Sequence, residues 1–390
     1  KIAVLGFGTV GGGVARVLEE DRAAIAARLG EEISLKRILV RHFRESPWRD
    51  RMTDRLEDIT GDPEIAVAVE VIGGVDAAYD YTRRCLMSGK HVVTANKQLV
   101  AERGRELLEL AEQHNVQYLF EASVGGGIPL LHPLVNCLGA NEIQEVYGIL
   151  NGTTNYILTQ MTEKGESFGT ALKAAQEKGY AEADPTADVA GIDAGRKTCI
   201  LADLAFGRET PPEKVPMEGI TALDLRDVAI ARQAGFRVKL LGRTLRLPDG
   251  GYAAYVAPHL IPEGKPIAHV SGVFNAAVVR GSAVGETLFY GPGAGAYPTA
   301  SACVSDVMNV LAGPAPFRFR WEAPSGLRDA SEVVSRWYLR TDADAQAVKA
   351  AFPQAEALTE GAFLTGPLTG FALEERCRSL SVLARYRVLD

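Results

Sequence analysis

The chain begins with the stretch Ile2-Ala-Val-Leu-Gly-Phe-Gly-Thr-Val-Gly11, in which a short apolar run leads directly into a glycine-rich turn. Residues 2–5 have the pattern of a buried strand, and the apolar spacing after the turn predicts a helix. A Gly-x-Gly-x-x-Gly turn between a strand and a helix is typical of a site that binds the pyrophosphate of a dinucleotide. The stretch therefore predicts a dinucleotide-binding domain at the start of the chain.

The glycines of this turn have distinct expected roles. The first permits the turn, the second lets a phosphate approach the backbone, and the third lets helix and strand pack closely. The helix N-terminus would then face the phosphates. The predicted cofactor contacts in the turn are Gly6, Phe7, Gly8, Thr9, Val10 and Gly11. A glycine-rich turn without a ligand is the alternative.

Strand and helix patterns alternate from this turn to about residue 130. Helical patterns separate the further predicted strands, which are 33–40, 65–72, 91–94 and 117–122. The alternation predicts an α/β fold with a doubly wound parallel sheet, the Rossmann type, over residues 1–130, completed by about 296–325. Ligands of such sheets lie beyond the carboxyl ends of the strands. Thr94 and Lys97 follow such a strand end and are predicted to lie near a nicotinamide cofactor or its substrate.

The end of the second predicted strand bears on cofactor preference. An NAD site usually carries an acid there for the ribose hydroxyl, whereas this chain has Arg41, with Arg44 nearby. A cation suits a 2′-phosphate better, so the sequence favours NADP(H), with NAD(H) as the second choice. An exposed arginine without a ligand is the alternative.

Composition narrows the class of protein. The chain has 390 residues, 47% of them hydrophobic, and a formal net charge of −7. It has no dense Lys/Arg run, so we expect no nucleic acid partner. It has no uncharged apolar run long enough to span a membrane. The five cysteines are odd in number and have no metal-ligand spacing, which favours a reducing cytoplasm. Because residue 1 already begins a strand, we also expect no signal peptide.

A motif rich in acids runs from Gly179 to Lys197 in the middle of the chain. It reads Gly-Tyr-Ala-Glu-Ala-Asp-Pro-Thr-Ala-Asp-Val-Ala-Gly-Ile-Asp-Ala-Gly-Arg-Lys. Asp184-Pro185 predicts a helix start, with the acid at the N-cap, and a helix from about 186 to 206 follows. On such a helix Asp193 and Lys197 share a face. A solvated helix face with an ion pair and a catalytic acid–lysine pair are the two interpretations.

Residues 131–295 predict a second domain, in which a mixed sheet is covered by helices. The cluster Asn151-Gly-Thr-Thr-Asn155 lies between a predicted strand and a helix. It can be a cradle for a substrate or an anion, or a plain capping cluster. The glycine loop 291–295 precedes a helix that we expect to return to the first domain.

Several segments together resemble the homoserine dehydrogenase family, and they occur in the family's order. The glycine turn alone is common to many folds, but the joint presence of the middle motifs is specific. The segments are residues 6–11, 94–97, 121–129, 148–155, 179–185, 191–197 and 290–300. The resemblance implies NAD(P)-dependent interconversion of L-aspartate 4-semialdehyde and L-homoserine, on the route to threonine, methionine and isoleucine. It also implies a homodimer or a dimer of dimers.

The resemblance assigns roles to positions of this chain. The positions of Glu182, Asp188 and Asp193 bind the amino acid substrate, Lys197 is the proposed proton donor, and Lys97 lies beside the nicotinamide and substrate. Backbone groups that bind a monovalent cation, Na⁺ or K⁺, are implied at Glu121, Val124, Gly126 and Ile128. Gly179 and Gly295 match cofactor-contacting backbone. Hydride transfer to an aldehyde creates an alkoxide, and a lysine ammonium can supply the proton or charge that it needs.

Residues 330–390 predict a small α+β domain. Alternating patterns at 331–340 and 380–389 predict strands, with a helix at 344–352 between them. Many bacterial relatives end in a βαββαβ regulatory domain of the ACT type, but the Asp-x-x-Gly-x-Leu ligand turn is absent here. We therefore expect a shortened or degenerate ACT-like domain, with dimer packing as the alternative role.

Two other functions fit parts of the sequence. Another amino acid dehydrogenase of the same architecture could use the same lysine–acid pair on a different substrate. A non-catalytic nucleotide-sensing protein would need the glycine turn but not Lys97, Asp193 and Lys197 together.

Overall fold

The computed structural model describes residues 1–313 and 319–390. In this part of the chain no helix combines the length and the apolar character that a membrane crossing needs. The strands are β1 (Ile2–Leu5), β2 (Leu35–Leu39), β3 (Met52–Thr53), β4 (Val67–Glu70), β5 (His91–Thr94), β6 (Tyr118–Leu119), β7 (Ile143–Ile149), β8 (Phe236–Arg246), β9 (Tyr252–Pro262), β10 (Phe274–Gly281), β11 (Gly285–Pro292), β12 (Val334–Ser335), β13 (Trp337–Thr341), β14 (Glu356–Thr359), β15 (Ala362–Leu364), β16 (Leu368–Thr369) and β17 (Val382–Val388). The helices are α1 (Thr9–Glu20), α2 (Arg22–Leu29), α3 (Glu57–Thr60), α4 (Asp76–Met87), α5 (Lys97–Gln113), α6 (Gly152–Lys164), α7 (Phe168–Glu177), α8 (Thr186–Val189), α9 (Ile192–Phe206), α10 (Leu225–Gln233), α11 (Ala296–Leu311), α12 (Ala345–Ala351) and α13 (Gly370–Cys377).

The chain forms two compact units, of which the first comprises residues 1–142, 203–211 and 291–323. Its described strands form a parallel sheet in the order β3-β2-β1-β4-β5-β6. This is the strand order of the Rossmann fold, so the predicted doubly wound sheet is confirmed. Strands β1 and β4 at its centre are buried throughout, as expected for strands covered by helices on both faces.

Helix α11 belongs to this first unit although it comes late in the chain. It packs along α1, where a Cβ added to Gly13 would lie only 2.6 Å from the Ala296 carbonyl oxygen. Glycine therefore permits the two helices to approach this closely. Residues 314–318, part of the segment 296–325 predicted to complete this domain, lie outside the described residues.

The second unit comprises residues 143–202, 212–290 and 324–390. Its sheet has the order β11-β10-β7-β8-β9-β17-β13-β15-β14. The recorded pairings are antiparallel except for the parallel pair β17–β9. This is the mixed sheet that the sequence predicts. The long hairpin β8–β9 turns at Asp249 and Gly250, where the positive φ of Gly250 meets the demand of the turn.

The C-terminal segment has the order β13-α12-β14-β15-α13-β17, that is, βαββαβ. Its strands lie in the order β17-β13-β15-β14, and β17 pairs with β9, so this segment extends the sheet of the second unit. The topology is that of a ferredoxin-like split βαβ motif. Its relation to ACT domains stays a prediction, as does the division into three domains at 130, 295 and 330.

Two predicted elements are broken in the structure. The helix expected over 186–206 is interrupted between α8 and α9, because Gly191 adopts a positive φ of 82°. The strand expected over 331–340 divides into a 3₁₀ turn and the short strands β12 and β13. Helix α8 begins at Thr186, and its N-cap is Pro185 rather than the predicted Asp184.

Candidate active site

The glycine turn after β1 has a backbone suited to a phosphate. Gly6 adopts a φ of +98°, which favours glycine. A Cβ on Gly11 would lie 2.2 Å from the Gly6 carbonyl oxygen, so helix and turn could not pack with a larger residue. No atom lies within 4 Å of a Cβ built on Gly8, which leaves the backbone before α1 open to a ligand. The three positions therefore fit a dinucleotide pyrophosphate at the helix N-terminus.

A cavity of about 650 Å³ opens beside this turn. Its wall includes Gly8, Arg16 and Arg44, and the Arg44 guanidinium lies 4.8 Å from the centre of the Phe7 ring. Arg41 is exposed beyond β2 and does not line the described cavity. Two cations in the wall suit the phosphates of a dinucleotide. Sequence reasoning noticed Arg44 only as a neighbour of Arg41, whereas the structure places it at the cavity.

A buried network connects the ends of strands β4 and β5. The Thr94 hydroxyl donates to the Glu70 carboxylate at 2.6 Å, and the Ile72 N–H donates to the same carboxylate at 2.7 Å. Burial raises the pKa of Glu70, although these hydrogen bonds oppose the shift. Thr94 is fully buried, and its hydroxyl is engaged inside the protein, so this side chain stabilises the strand end.

The same strand end positions Lys97. Asn96 accepts a hydrogen bond from the Leu99 N–H at 3.1 Å and so caps α5, and its amide donates to the Gly74 carbonyl at 2.6 Å. Lys97 is the first residue of α5 and is half-buried. The structure therefore fixes this lysine at the carboxyl edge of the parallel sheet, where ligands of such sheets bind.

The loop predicted to bind a monovalent cation follows β6. The Glu121 carboxylate accepts the backbone N–H groups of Leu130, Leu131 and His132 at 2.5, 2.9 and 2.7 Å. Its side chain therefore anchors the chain rather than projecting as a ligand. Burial and the neighbouring Asp306 carboxylate raise the pKa of Glu121.

Backbone carbonyls of this loop fit a cation. Val124, Gly126 and Ile128 are buried, and no donor among the described residues gives a hydrogen bond to their carbonyl oxygens. Buried carbonyls without donors favour a cation. Gly126 has a positive φ of 56°, and a Cβ there would lie 2.4 Å from the Gly293 carbonyl oxygen. The described residues contain no His/Cys/Asp/Glu cluster suited to a metal, so any ion here depends on carbonyls.

The second unit contains the acid–lysine pair. The Lys197 ammonium donates to Asp193 at 2.8 Å and to the Leu150 carbonyl at 2.7 Å. Lys197 is 8% exposed and Asp193 is 5% exposed. The pair therefore lies on one face of α9 but is buried, so the solvated-face interpretation does not describe it. Two acceptors from different elements fix the position of the ammonium.

Asn151 connects this pair to another acid. Its side-chain oxygen accepts the Thr154 N–H at 2.9 Å and caps α6, while its amide donates to Asp188 at 2.7 Å and to Asp193 at 2.9 Å. The residue therefore caps a helix and also organises the acids, and the substrate or anion cradle expected at residues 151–155 stays a prediction. Sequence reasoning did not assign it a role in the site, although its position at a helix start marked it.

The segment that carries Glu182 is held by the same helix. The Thr153 hydroxyl donates to the Tyr180 carbonyl at 2.6 Å, and the Tyr180 ring meets the Tyr156 ring edge-on at 5.1 Å. The Glu182 side chain is exposed, and it forms no hydrogen bond or ion pair with the described residues of the cluster. Asp184 accepts from the Thr186 N–H at 3.1 Å, but it lies one residue before the N-cap Pro185, so its predicted N-cap position is wrong.

The structure thus divides the predicted site residues into groups. In the second unit it brings Asp188, Asp193 and Lys197 together around Asn151. The glycine turn, Lys97 and the cation loop belong to the first unit. Gly179 and Gly295 both have positive φ, 74° and 124°, where a side chain would be strained.

Comparison with known protein sequences finds relatives over most of this chain. The family model for the homoserine dehydrogenase NAD-binding domain matches residues 6–121, and the homoserine dehydrogenase model matches residues 129–308. The homoserine dehydrogenase of Synechocystis sp. is 45% identical over 80% of this chain and 73% of its own. That of Lactococcus lactis is 37% identical over 88% of this chain and 82% of its own.

Solved structures are similar over all or most of the chain. A homoserine dehydrogenase from Thiobacillus denitrificans superimposes with a TM-score of 0.93 at 37% identity, over 100% of this chain and 98% of its own. A hyperthermophilic archaeal homoserine dehydrogenase in complex with NADPH gives a TM-score of 0.69 at 27% identity, over 82% of this chain and 99% of its own. The chain therefore belongs to the homoserine dehydrogenase family of NAD(P)-dependent oxidoreductases, which act on a small-molecule substrate with a nicotinamide cofactor.

Proposed function

We propose that this protein reduces L-aspartate 4-semialdehyde reversibly to L-homoserine, with NADP(H) as the preferred cofactor and Lys197 as the proton donor. The observation that carries the proposal is the buried cluster of Lys197, Asp193 and Asn151. The product would enter threonine, methionine and isoleucine biosynthesis.

The nicotinamide, when bound, supplies the hydride for the aldehyde carbon. The protein must then stabilise the oxygen that becomes an alkoxide. Lys197 can donate a proton to that oxygen, and its ammonium charge lowers the energy of the developing anion. Asp193, which accepts from the ammonium at 2.8 Å, keeps the lysine oriented. Lys97, at the edge of the parallel sheet, is proposed as the second cation near the nicotinamide and substrate.

The substrate carries an ammonium group that needs carboxylates. The Asn151 amide nitrogen donates to both Asp188 and Asp193, which brings the two carboxylates close together. Glu182 is exposed on a segment that Thr153 holds, so it can turn toward an incoming amine. We therefore assign Glu182 and Asp188 to the substrate ammonium, with Asp193 shared between substrate and Lys197.

The preference for NADP(H) is supported by charge. Arg16 and Arg44 line the cavity beside the glycine turn. Arg41 follows the end of strand β2. Arginine forms strong, directional hydrogen bonds with phosphate. The archaeal relative that contains NADPH supports the same choice.

Two further parts of the proposal rest mainly on family membership. A monovalent cation at the carbonyls of Glu121, Val124, Gly126 and Ile128 is supported by the buried carbonyls described above. A homodimer is supported by exposed apolar side chains near the sheet edge, since the Phe274 and Tyr290 rings stack at 5.2 Å and both are exposed.

A steady-state assay tests the proposal directly. NADPH absorbance is followed with L-aspartate 4-semialdehyde, and the reverse reaction is followed with L-homoserine, each against a panel of other semialdehydes and 2-amino alcohols. We expect the highest kcat/KM for the aspartate semialdehyde and homoserine pair. A clearly better substrate elsewhere in the panel would instead support another amino acid dehydrogenase, and no turnover with any would support a nucleotide sensor.

A further inference from the structure

A second cavity lies within the second unit, where the C-terminal segment meets strand β9. It has a volume of about 230 Å³. Its walls include Tyr255 and Trp337, and Arg387 lines it. None of the residues assigned above to the cofactor, the substrate or the cation lines this cavity, so the proposed reaction leaves it without a role.

Arg387 is a buried cation without a carboxylate partner among the described residues. It is 7% exposed, and its guanidinium donates only to neutral groups, the Ala330 carbonyl at 2.9 Å, the Ser335 hydroxyl at 3.2 Å and, more weakly, the Val333 carbonyl at 3.4 Å. The guanidinium also lies over the rings of Tyr255 and Trp337, at 4.6 and 4.3 Å. Its Nε–H donates to no group that the structure describes, so hydrogen-bonding capacity remains.

The surroundings of Arg387 add positive charge. Arg243 is buried nearby and shares the Glu145 carboxylate with Arg280, at 2.5 and 2.6 Å. Burial and the neighbouring Arg243 lower the pKa of Arg387. Tyr255 and Glu218 act on this pKa in the opposite direction, but no ion pair joins Arg387 to Glu218 among the described residues. A buried charge without a directly bonded counter-ion is costly, and an anion in the cavity would reduce this cost.

From the cavity, its charge and its aromatic walls we infer a binding site for a small organic carboxylate, with the carboxylate group at Arg387. Arg385 lines the same cavity and is half-exposed, and its guanidinium lies 3.4 Å from the Glu374 carboxylate, so the cation at the mouth is already paired. Glu218 also lines the cavity, and it could receive an ammonium group if the ligand is an amino acid. Carboxylate is the chemistry common to both ligand types.

The cavity wall is packed directly against the turn between α8 and α9. Residues 216–218 are bonded to Val256 of β9, and the Ile220 N–H donates to the Val189 carbonyl at 2.8 Å. A Cβ added to Gly219 would lie 2.0 Å from that carbonyl oxygen, so the two segments are in close backbone contact. Because this turn separates Asp188 from Asp193, occupancy of the cavity should change substrate affinity. This coupling, unlike the binding itself, rests on the proposed function.

Binding is tested on the full chain without cofactor or substrate. Ligand-observed NMR titrations use propionate, L-alanine and the neutral isostere propionamide. We expect propionate and alanine to bind and propionamide to bind at least about tenfold more weakly, as for loss of a hydrogen-bonded charge. Tighter binding of alanine would identify amino acids as the ligand class, and tighter binding of propionate would identify simple organic acids. Equal binding of propionate and propionamide, or no binding of either acid, would overturn the inference.

Variants locate the site. Arg387→Met keeps the apolar stem and should weaken propionate binding by at least roughly tenfold, while the exposed Arg376→Met serves as the matched control. If the first variant does not fold, Arg385→Met at the cavity mouth should still weaken binding severalfold. Unchanged affinity in a folded cavity variant would overturn the site.

The coupling has its own readout. We expect saturating propionate or alanine to shift the KM for homoserine in the wild type but not in Arg387→Met, and binding that leaves KM unchanged would overturn the coupling. A protein that binds carboxylates but does not oxidise homoserine would refute the proposed function and leave the binding site standing.

Discussion

Replacing Lys197 by methionine is the most direct test of the proposed chemistry. Methionine keeps an unbranched apolar side chain but removes the ammonium that donates to Asp193 and to the Leu150 carbonyl. A positioned general acid contributes about 10²–10⁴-fold to rate. We therefore expect kcat to fall by about that factor in both directions. The affinity for NADPH, measured by fluorescence titration, should change little, because the predicted phosphate contacts are made by the glycine turn and not by Lys197.

The same substitution has a cost in stability that must be separated from the chemistry. Removing one member of a buried ion pair costs about 3–5 kcal/mol. Here we expect the lower end of that range, because the Asn151 amide still donates to Asp193 at 2.9 Å. The double variant Asp193→Asn/Lys197→Met removes both charges and should recover much of the stability without recovering kcat. Thermal unfolding of the three proteins measures this difference.

Lys239 offers a matched control. It is also a buried lysine of the second unit, 4% exposed, and it donates to the Val270 carbonyl at 2.6 Å and to the Asn155 side chain at 3.1 Å. We expect Lys239→Met to retain kcat within a few-fold, since it lies outside the acid cluster. Near-normal kcat in folded Lys197→Met, or an equal loss of kcat in both lysine variants, would refute the assignment of Lys197.

Other substitutions test the cofactor site and the effect of burial. Gly8→Ala places a methyl group in open space, so it should keep wild-type stability but weaken NADPH binding. Gly11→Ala should lower stability, because its Cβ meets a carbonyl oxygen at 2.2 Å. If thermal unfolding and NADPH titration give the reverse order for the two variants, the proposed phosphate geometry is wrong. Arg44→Ala should weaken NADPH by at least about tenfold and NADH little, with a smaller loss in Arg41→Ala; equal losses of both cofactors would remove the 2′-phosphate interpretation. Burial lowers the pKa of Lys239 to about 8 from an ordinary value of 10.5, so the folded state holds fewer protons than the unfolded state between these pH values. The wild-type free energy of unfolding should therefore rise across this pH window, by up to roughly 3 kcal/mol relative to Lys239→Met. If the free energies of unfolding of the two proteins instead change with pH in parallel, the pKa of Lys239 is not lowered.

Local patterns predicted the elements that depend on sequence neighbours. Strand β5 has the predicted bounds, and α5 begins at Lys97 as expected. The break between α8 and α9 was missed, because a single glycine in a helical pattern does not reveal the sign of its φ. Gly191 adopts a positive φ at a place where Glu218 and Val256 approach it, and these neighbours are distant in sequence.

The candidate site likewise contains some residues that the local sequence marks and others that only the folded chain brings together. Its acids and lysine stood out from spacing and from the family resemblance. The role of Asn151 did not, since it requires knowing that residues 151, 188 and 193 meet in space. The sequence favoured Arg41 over Arg44 as the residue that binds the cofactor phosphate. A loop beyond a strand end can direct either residue toward the glycine turn, and the local sequence does not show which one.

The Rossmann turn, the alternation of strands and helices, and the motif that carries Asp193 and Lys197 could be predicted from local sequence, because these features depend on residues a few positions apart. The burial of this pair could not, since it requires the folded chain. Exposure depends on the packing of α9, the end of β7 and the start of α6, and the ammonium of Lys197 needs the Leu150 carbonyl as well as Asp193. The charge of Arg387 likewise became informative only when folding placed it in a cavity without a carboxylate partner among the described residues.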